Sequence, residues 1–427
     1  MSGRSAAKNA MNPIKKYGEK LGPGMLFAAA CVGTSHLVQS TRAGADYGLA
    51  LWWVIVLACF IKYPVFHFGS AYAAATGESL IESYLRQGKW AVFFFAAELF
   101  VNMFIATSAV ALITGGLVNN SLDWDMDAVS MASLLLIGSS ILLISGKYHL
   151  FERVTTLFVV LFTVLILLAV VLAVPKIEPQ MLDFTPSFDT DLKTILFIIA
   201  LAGWMPTAVG ASVFQSLWVC AKSKDLKRNF TPREARFDFN LGYAGTAVLA
   251  FCFLLLGAVF MHQGGVAVAG SVSNFAGQFI GLFTQSIGAW SYPIIAVAAT
   301  TIMFSTLLTL MDACPRALTS LVAHFAADKG IKTRAATSYT AFVILQCLGA
   351  IMILFAFMQS FRAFIDFATS VAFLVAPFIA FINHRAMFSA TVPSDLQPGS
   401  LLYSWSLFGI VTLAIFAFCY LYFGVFG

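Results

Sequence analysis

Stretches of about 20 apolar residues recur along nearly the whole chain, each long enough to cross roughly 30 Å of hydrocarbon as an α-helix. Eleven can be read from the 427 residues: about 24–46, 49–75, 91–117, 129–145, 152–174, 193–220, 238–262, 285–312, 337–358, 363–383 and 402–425. The eighth reads as running on to about 325 at the membrane surface. In hydrocarbon every backbone N–H and C=O needs a partner within its own segment, so spans of this kind must be helices. With 60% hydrophobic and 11% charged residues and a mean hydropathy of +0.86, the composition excludes a water-soluble globule.

Charge placement orients the spans. With the N-terminus in the cytoplasm, 19 Lys and Arg residues fall on the cytoplasmic side and only Lys176, Lys193 and Arg362 on the outer side. Cytoplasmic loops carry such an excess. The outer loops are acidic, with Asp123, Asp125 and Asp127 in one and Glu178, Asp183, Asp189 and Asp191 in another. An odd number of spans then leaves the C-terminus outside. The net charge of +5 thus reads as topology, with lipid as the partner and no nucleic acid. Residues 1–22 read as a basic cytoplasmic tail without the features of a cleaved signal peptide, and 23–427 as one transmembrane domain. The expected location is a bacterial inner membrane.

Several functions are excluded. No GxxxxGK[ST] phosphate loop or soluble domain is present, which argues against an ATP-driven pump. The six histidines form no HExxH or HxxxH pair, so a membrane enzyme is not expected. The seven cysteines lie in apolar segments with no CxxC pair and read as small hydrophobic fillers. No cofactor is expected, and no obligate protein partner is evident.

Two apolar segments are interrupted. Gly33-Thr34-Ser35-His36 breaks the first, and Gly203-Trp204-Met205-Pro206-Thr207 breaks the sixth. Broken helices in matching positions of two halves point to the substrate site of a secondary transporter at the bilayer midplane. Gly33 and Met205 are 172 residues apart, about one half of five spans. Halves with an odd number of spans must be inverted relative to each other. The expected fold is all-α, with eleven transmembrane helices in a LeuT-type 5+5 inverted repeat, helices 1 and 6 discontinuous and helix 11 an addition. Repeat 1 covers about 23–175, repeat 2 about 193–384 and the extra helix about 402–425.

Further residues carry a resemblance. Gly22-Pro23-Gly24 opens the first helix, Ala43-Gly44-Ala45 and Tyr47-Gly48 close it, and Thr76-Gly77 ends the second. Gly146, Tyr148 and Glu152 mark the turn into the fifth, Ala202 and Met205-Pro206 the sixth, and Arg236 and Asp238 the seventh. In order and spacing these resemble the natural resistance-associated macrophage protein (Nramp) family of proton-coupled divalent metal transporters. The resemblance implies metal transport by alternating access. It also implies that the Ala202 carbonyl and the Met205 thioether stand at the ion site. The family's first-helix break reads Asp-Pro-Gly-Asn, and its Asp and Asn hold the metal. Here Gly33 replaces that Asp and His36 that Asn, and Thr207 follows Met205-Pro206 where the family has His. The third-helix acids used by protons are absent from the matching stretch Ala106-Thr107-Ser108.

The site so read comprises Gly33, His36, Ala202, Met205 and Thr207, with His36 and Met205 as metal ligands. It is neutral. Imidazole and thioether favour softer transition ions over Mg²⁺ or Ca²⁺. Thr34, Ser35 and Ser212 add hydroxyls at similar depth, and Ser305, Thr306 and Thr309 on the eighth span leave a sodium site open by analogy. A charge at the bilayer centre costs about 2.5–3.5 kcal/mol and needs a partner. Arg42 with Asp46, and Asp312 with Arg316, have i,i+4 spacing and read as pairs. Lys62 with Glu98, or Lys62 with Asp312, is the expected buried pair replacing the missing proton acids; the lysine ammonium is also able to stand in for a driving cation. The expected function is secondary transport of a metal cation. The alternative is an organic or other non-metal substrate on the same scaffold, coupled to sodium or protons.

Overall fold

The computed structural model describes residues 22–146, 148–179, 191–328, 335–357 and 361–426. The basic N-terminal tail, Lys147, the acids Asp183 and Asp189, and the basic stretch Lys329, Lys332 and Arg334 lie outside the described residues.

All regular structure described is helical. Helix α1 (Pro23–Cys31) stops at Val32, and the chain resumes as a wide π-type turn over Ser35–Ser40 that passes into α2 (Thr41–Tyr47). Helix α3 (Trp52–Thr76) and the short α4 (Leu80–Gln87) follow. Helix α5 (Lys89–Phe100) continues through a π turn at Val101–Ala106 into α6 (Thr107–Leu122), then come α7 (Ala128–Ile144) and α8 (Tyr148–Ala173). The second half opens with α9 (Leu192–Trp204), breaks at Met205-Pro206-Thr207, and resumes as α10 (Ala211–Leu226). It continues with α11 (Pro232–Gly257, extended by a π turn to His262), α12 (Val272–Ile287), α13 (Tyr292–Asp328), α14 (Ala335–Phe357) and α15 (Phe361–Met387), with α16 (Ser400–Phe426) beyond it. The described residues form an all-helical bundle. Eight helices among the described residues are long and apolar enough to cross a bilayer by length and composition.

The π turns and the connecting helices α4 and α12 were not foreseen by the apolar runs. Local signals set several helix starts: the Asp191 carboxylate accepts the Thr194 N–H at 2.8 Å, and Thr231 and Glu234 form a capping box ahead of Pro232. Leu401, Phe355 and Phe418 on α16 and α14 are 81%, 69% and 69% exposed, so these faces meet lipid.

Hydrocarbon offers little hydrophobic drive between helices, so close backbone packing must hold them. The first and seventh apolar segments achieve this through glycine. A Cβ on Gly242 would lie 2.1 Å from the Gly24 carbonyl oxygen, and one on Gly257 would lie 2.3 Å from that of Thr41. The Asp238 carboxylate on α11 also accepts the N–H groups of Gly22 at 3.0 Å and Gly24 at 2.5 Å, pinning the start of α1. An anion at a helix N-terminus is favoured by the free N–H groups there.

Arg42 and Asp46 do not pair as their spacing suggested. Arg42 reaches across to α15, where its Nη1 and Nη2 donate to Asp366 at 2.8 and 3.2 Å. A two-pronged geometry on a carboxylate outcompetes a single contact along the helix. Asp312 and Arg316 do pair, at 2.6 Å.

Gly242→Ala should lower unfolding stability in detergent by about 1–3 kcal/mol, the usual cost of overpacking. Gly245→Ala, whose new Cβ meets nothing within 4 Å, should hold or slightly raise the thermal midpoint, since alanine is the better helix former.

Candidate functional site

The two breaks flank one cavity. Its walls come from the end of α1 (Ala30, Cys31), the resumption of that segment (Thr34, Ser35), the third segment (Asn102, Ala106, Val110), the second break (Trp204, Thr207, Ala208) and α13 (Thr306, Thr309). It leaves about 60 Å³ for the centres of water-sized molecules. Its walls are mainly small and apolar, with hydroxyls and one amide among them. Thr306 and Thr309 donate to the Ile302 and Ser305 carbonyls of their own helix.

Thr207 is the one residue of the expected ion site that lines this cavity. His36 is fully buried beside it. Its Nε2–H donates to the Thr246 carbonyl at 2.9 Å, and Nδ1 lies 2.9 Å from Ser35 Oγ. Ser35 Oγ is also 3.1 Å from the Pro206 carbonyl oxygen, so the pair ties the first break to the sixth segment and to α11. A metal at His36 would have to displace one of these bonds. Met205 is fully buried, its sulfur 3.7 Å from Ser40 Oγ, which donates to it. The Gly33 carbonyl accepts the N–H groups of His36 and Leu37. Among the described residues no cluster of three or more His, Cys, Asp or Glu is placed to hold a metal.

Lys62 and Glu98 do not pair with each other. Lys62 Nζ donates to the carbonyls of Ala202 at 2.7 Å and Gly203 at 2.6 Å. Those are carbonyls of the last turn of α9, the negative end of its dipole. The Ala202 carbonyl expected at the ion site therefore already holds an ammonium. Glu98 Oε1 accepts the Gly210 N–H at 2.9 Å and the Asn102 amide at 3.0 Å. Gly210 caps α10, so Glu98 meets the positive end of that half-helix. Each charge found a helix terminus in place of the other side chain. Asp312 lies elsewhere, with Arg316 and the Tyr339 hydroxyl.

A sequence model of the family described as "Natural resistance-associated macrophage protein-like" matches residues 24–424. The chain belongs to the Nramp family. An uncharacterized protein of Pasteurella multocida (strain Pm70) is 31% identical over 405 residues, covering 94% of this chain and 91% of that protein. A mutant of the Eremococcus coleocola manganese transporter has the same fold, with a TM-score of 0.71 at 12% identity, covering 98% of this chain and 90% of that one. MhsT, solved in complex with L-phenylalanine, superposes with a TM-score of 0.65 at 16% identity, over 94% of this chain and 98% of that one. At such identities the likeness shows the fold alone. This Nramp chain is a multi-pass membrane transporter, not an enzyme.

Trp204 was not singled out by the sequence reading, although it sits inside the Gly203–Thr207 interruption. Its Nε1–H and the Thr34 hydroxyl are buried without a partner among the described residues.

Glu98→Gln keeps an acceptor for Gly210 and Asn102 and should leave the thermal midpoint nearly unchanged. Glu98→Ala strands both donors and should cost about 1–3 kcal/mol of stability, read from unfolding in detergent.

Proposed function

We propose that this Nramp protein is a secondary active transporter that moves a small cation by alternating access through the cavity between its two helix breaks. In this reading eleven spans cross the membrane, with the N-terminus in the cytoplasm. Pro23–Cys31 with Ser35–Tyr47 forms the first, and Leu192–Trp204 with Ala211–Leu226 the sixth. Repeat 1 is then about 23–175, repeat 2 about 193–384, and 402–425 is the addition.

One observation carries the choice of a cation. Two half-helices, α1 and α9, end at the breaks with the negative ends of their dipoles. The end of α9 is met by the Lys62 ammonium, whereas Ala30 and Cys31, at the end of α1, line the open cavity. A positive group entering there meets a helix end that, among the described residues, holds only neutral donors, the Gly33 N–H and the Ser35 hydroxyl on the Cys31 carbonyl. Family membership supports a metal cation as that cargo. The nearby His36 imidazole, Met205 thioether and Thr207 hydroxyl, without a carboxylate, support a soft or borderline transition ion over Mg²⁺ or Ca²⁺. The largely apolar walls favour a second reading, an organic cargo bearing a positive group.

Alternation needs bonds that close each side in turn. On the outer side of the cavity, Arg42 and Asp366 join the first segment to α15, with the Gln39 amide 3.4 Å from Asp366. On the inner side, Asp238 holds the start of α1. Glu98, Lys62 and Asp312 are the ionisable groups at hand for coupling, and Glu98 Oε2 has no partner among the described residues.

Calorimetry on purified protein with Mn²⁺, Fe²⁺, Co²⁺, Ni²⁺, Zn²⁺ and Cd²⁺ tests the metal reading. Binding that His36→Ala abolishes is the expected result, and silence across all six ions would remove metals and leave the organic cation. The closing bonds are tested with Cys31 as the sole cysteine, since it lines the cavity. Arg42→Gln should raise its labelling by an impermeant maleimide from the outer side several-fold.

A further inference from the structure

We infer that the cavity takes a small zwitterion, its ammonium at the carbonyl end of α1 and its carboxylate at Thr34 and Trp204. This rests on the transporter reading in its second form, an organic cargo bearing a positive group, and narrows that cargo to a class.

The argument compares the two breaks. In the sixth segment both exposed ends of the backbone are served by charges of the protein itself. Lys62 caps the carbonyls of Ala202 and Gly203, and Glu98 accepts the N–H of Gly210. The first segment has the same pair of ends: nine residues of α1 run into the break, and the helical stretch beginning at Ser35 runs out of it. Among the described residues no charged side chain is bonded to either end; the Cys31 carbonyl is met by two neutral donors, the Gly33 N–H at 2.7 Å and the Ser35 hydroxyl at 3.0 Å, and the His36 and Leu37 N–H groups by the Gly33 carbonyl. The residues at both ends, Ala30 and Cys31 on one side and Thr34 and Ser35 on the other, line the cavity. The first turn of a helix has N–H groups with no partner inside the helix, and the last turn has such carbonyls. One molecule with a positive and a negative group close together would do for the first break what Lys62 and Glu98 do for the sixth.

Two further features specify the negative group. The Thr34 hydroxyl and the Trp204 Nε1–H are donors with no acceptor, in residues 3% and 5% exposed, and both residues form the cavity wall. An unmet buried donor costs free energy, and a carboxylate with two oxygens supplies acceptors for both. The apolar remainder (Ala106, Val110, Ala208) suits a short hydrocarbon backbone better than the water shell of a divalent ion. Size follows from volume. A cavity of about 150 Å³ takes benzene, so the 60 Å³ here restricts the cargo to the smallest zwitterions.

The test is equilibrium binding of radiolabelled glycine, L-alanine and β-alanine to the purified full-length protein in detergent. Unlabelled methylamine, acetate and MnCl₂ serve as competitors. At least one zwitterion should bind saturably, with methylamine and acetate at least about tenfold weaker, the factor expected when one charge-assisted contact is lost. Trp204→Phe keeps the ring, removes the donor, and should weaken binding about tenfold at an unchanged thermal midpoint. Thr34→Val is the second such variant. Failure of all three zwitterions to bind, or methylamine binding as tightly as the best of them, overturns the inference. Mn²⁺ binding without zwitterion binding overturns it while leaving cation transport standing. Zwitterion binding with no uptake into reconstituted vesicles supports the site and removes the transport reading.

Discussion

The backbone groups freed where two helices stop inside the membrane govern this molecule. Water is not there to satisfy them, and each unmet N–H or C=O costs several kcal/mol in hydrocarbon, about as much as a domain's spare stability. Each break therefore has to be lined by something polar. In the sixth segment that is Lys62 and Glu98, both almost fully buried, brought from the second and third segments. In the first segment it is partly His36, Ser35 and the Thr246 and Pro206 carbonyls, and partly an open cavity. The asymmetry between a break completed by the protein and one left incomplete is where a cargo enters the account.

The same constraint explains why charges in the membrane ignore one another. Lys62 and Glu98 are opposite in sign and lie on the second and third segments, and Coulomb's law alone would draw them together. A direct pair would still leave three backbone groups unmet at the sixth break, the Ala202 and Gly203 carbonyls and the Gly210 N–H. Spreading the two charges over the two helix ends satisfies both charge and backbone with the same atoms. Desolvated ammonium and carboxylate groups are thereby held by oriented dipoles. The ring of Phe373 adds to this on the lysine side, 5.7 Å from Nζ.

Much of the architecture was legible because lipid leaves few options. Apolar runs of fixed length, Gly and Pro interruptions and lopsided basic loops each follow from a bilayer's thickness and dielectric. The connecting helices were not, since Val272–Ile287 lies across the expected boundaries between runs, in a stretch read as loop. The site was legible only in part. The interruptions at Gly33 and Met205 can be seen in the sequence because glycine and proline announce them. What surrounds them cannot, because the partners are backbone atoms far along the chain. Thr246 is 210 residues from His36, and Ala202 is 140 from Lys62. Asp366, 324 residues from Arg42, displaced the neighbouring Asp46 for the same reason. Sequence spacing sees side chains along one helix, whereas burial in a bundle is decided across helices.

The seam between the first segment and α11 is made of main chain, Gly24 against Gly242 and Thr41 against Gly257. A seam of this kind does not depend on which side chains occupy the other faces of the helices it joins. Residues at the first break can therefore change without unseating that seam, and a side chain at Gly33 would press on Thr306 of α13, 3.0 Å from its Cβ, rather than on α11. Substrate chemistry and mechanical framework are separable in such a molecule, and a lineage can change its cargo while keeping the machine that carries it.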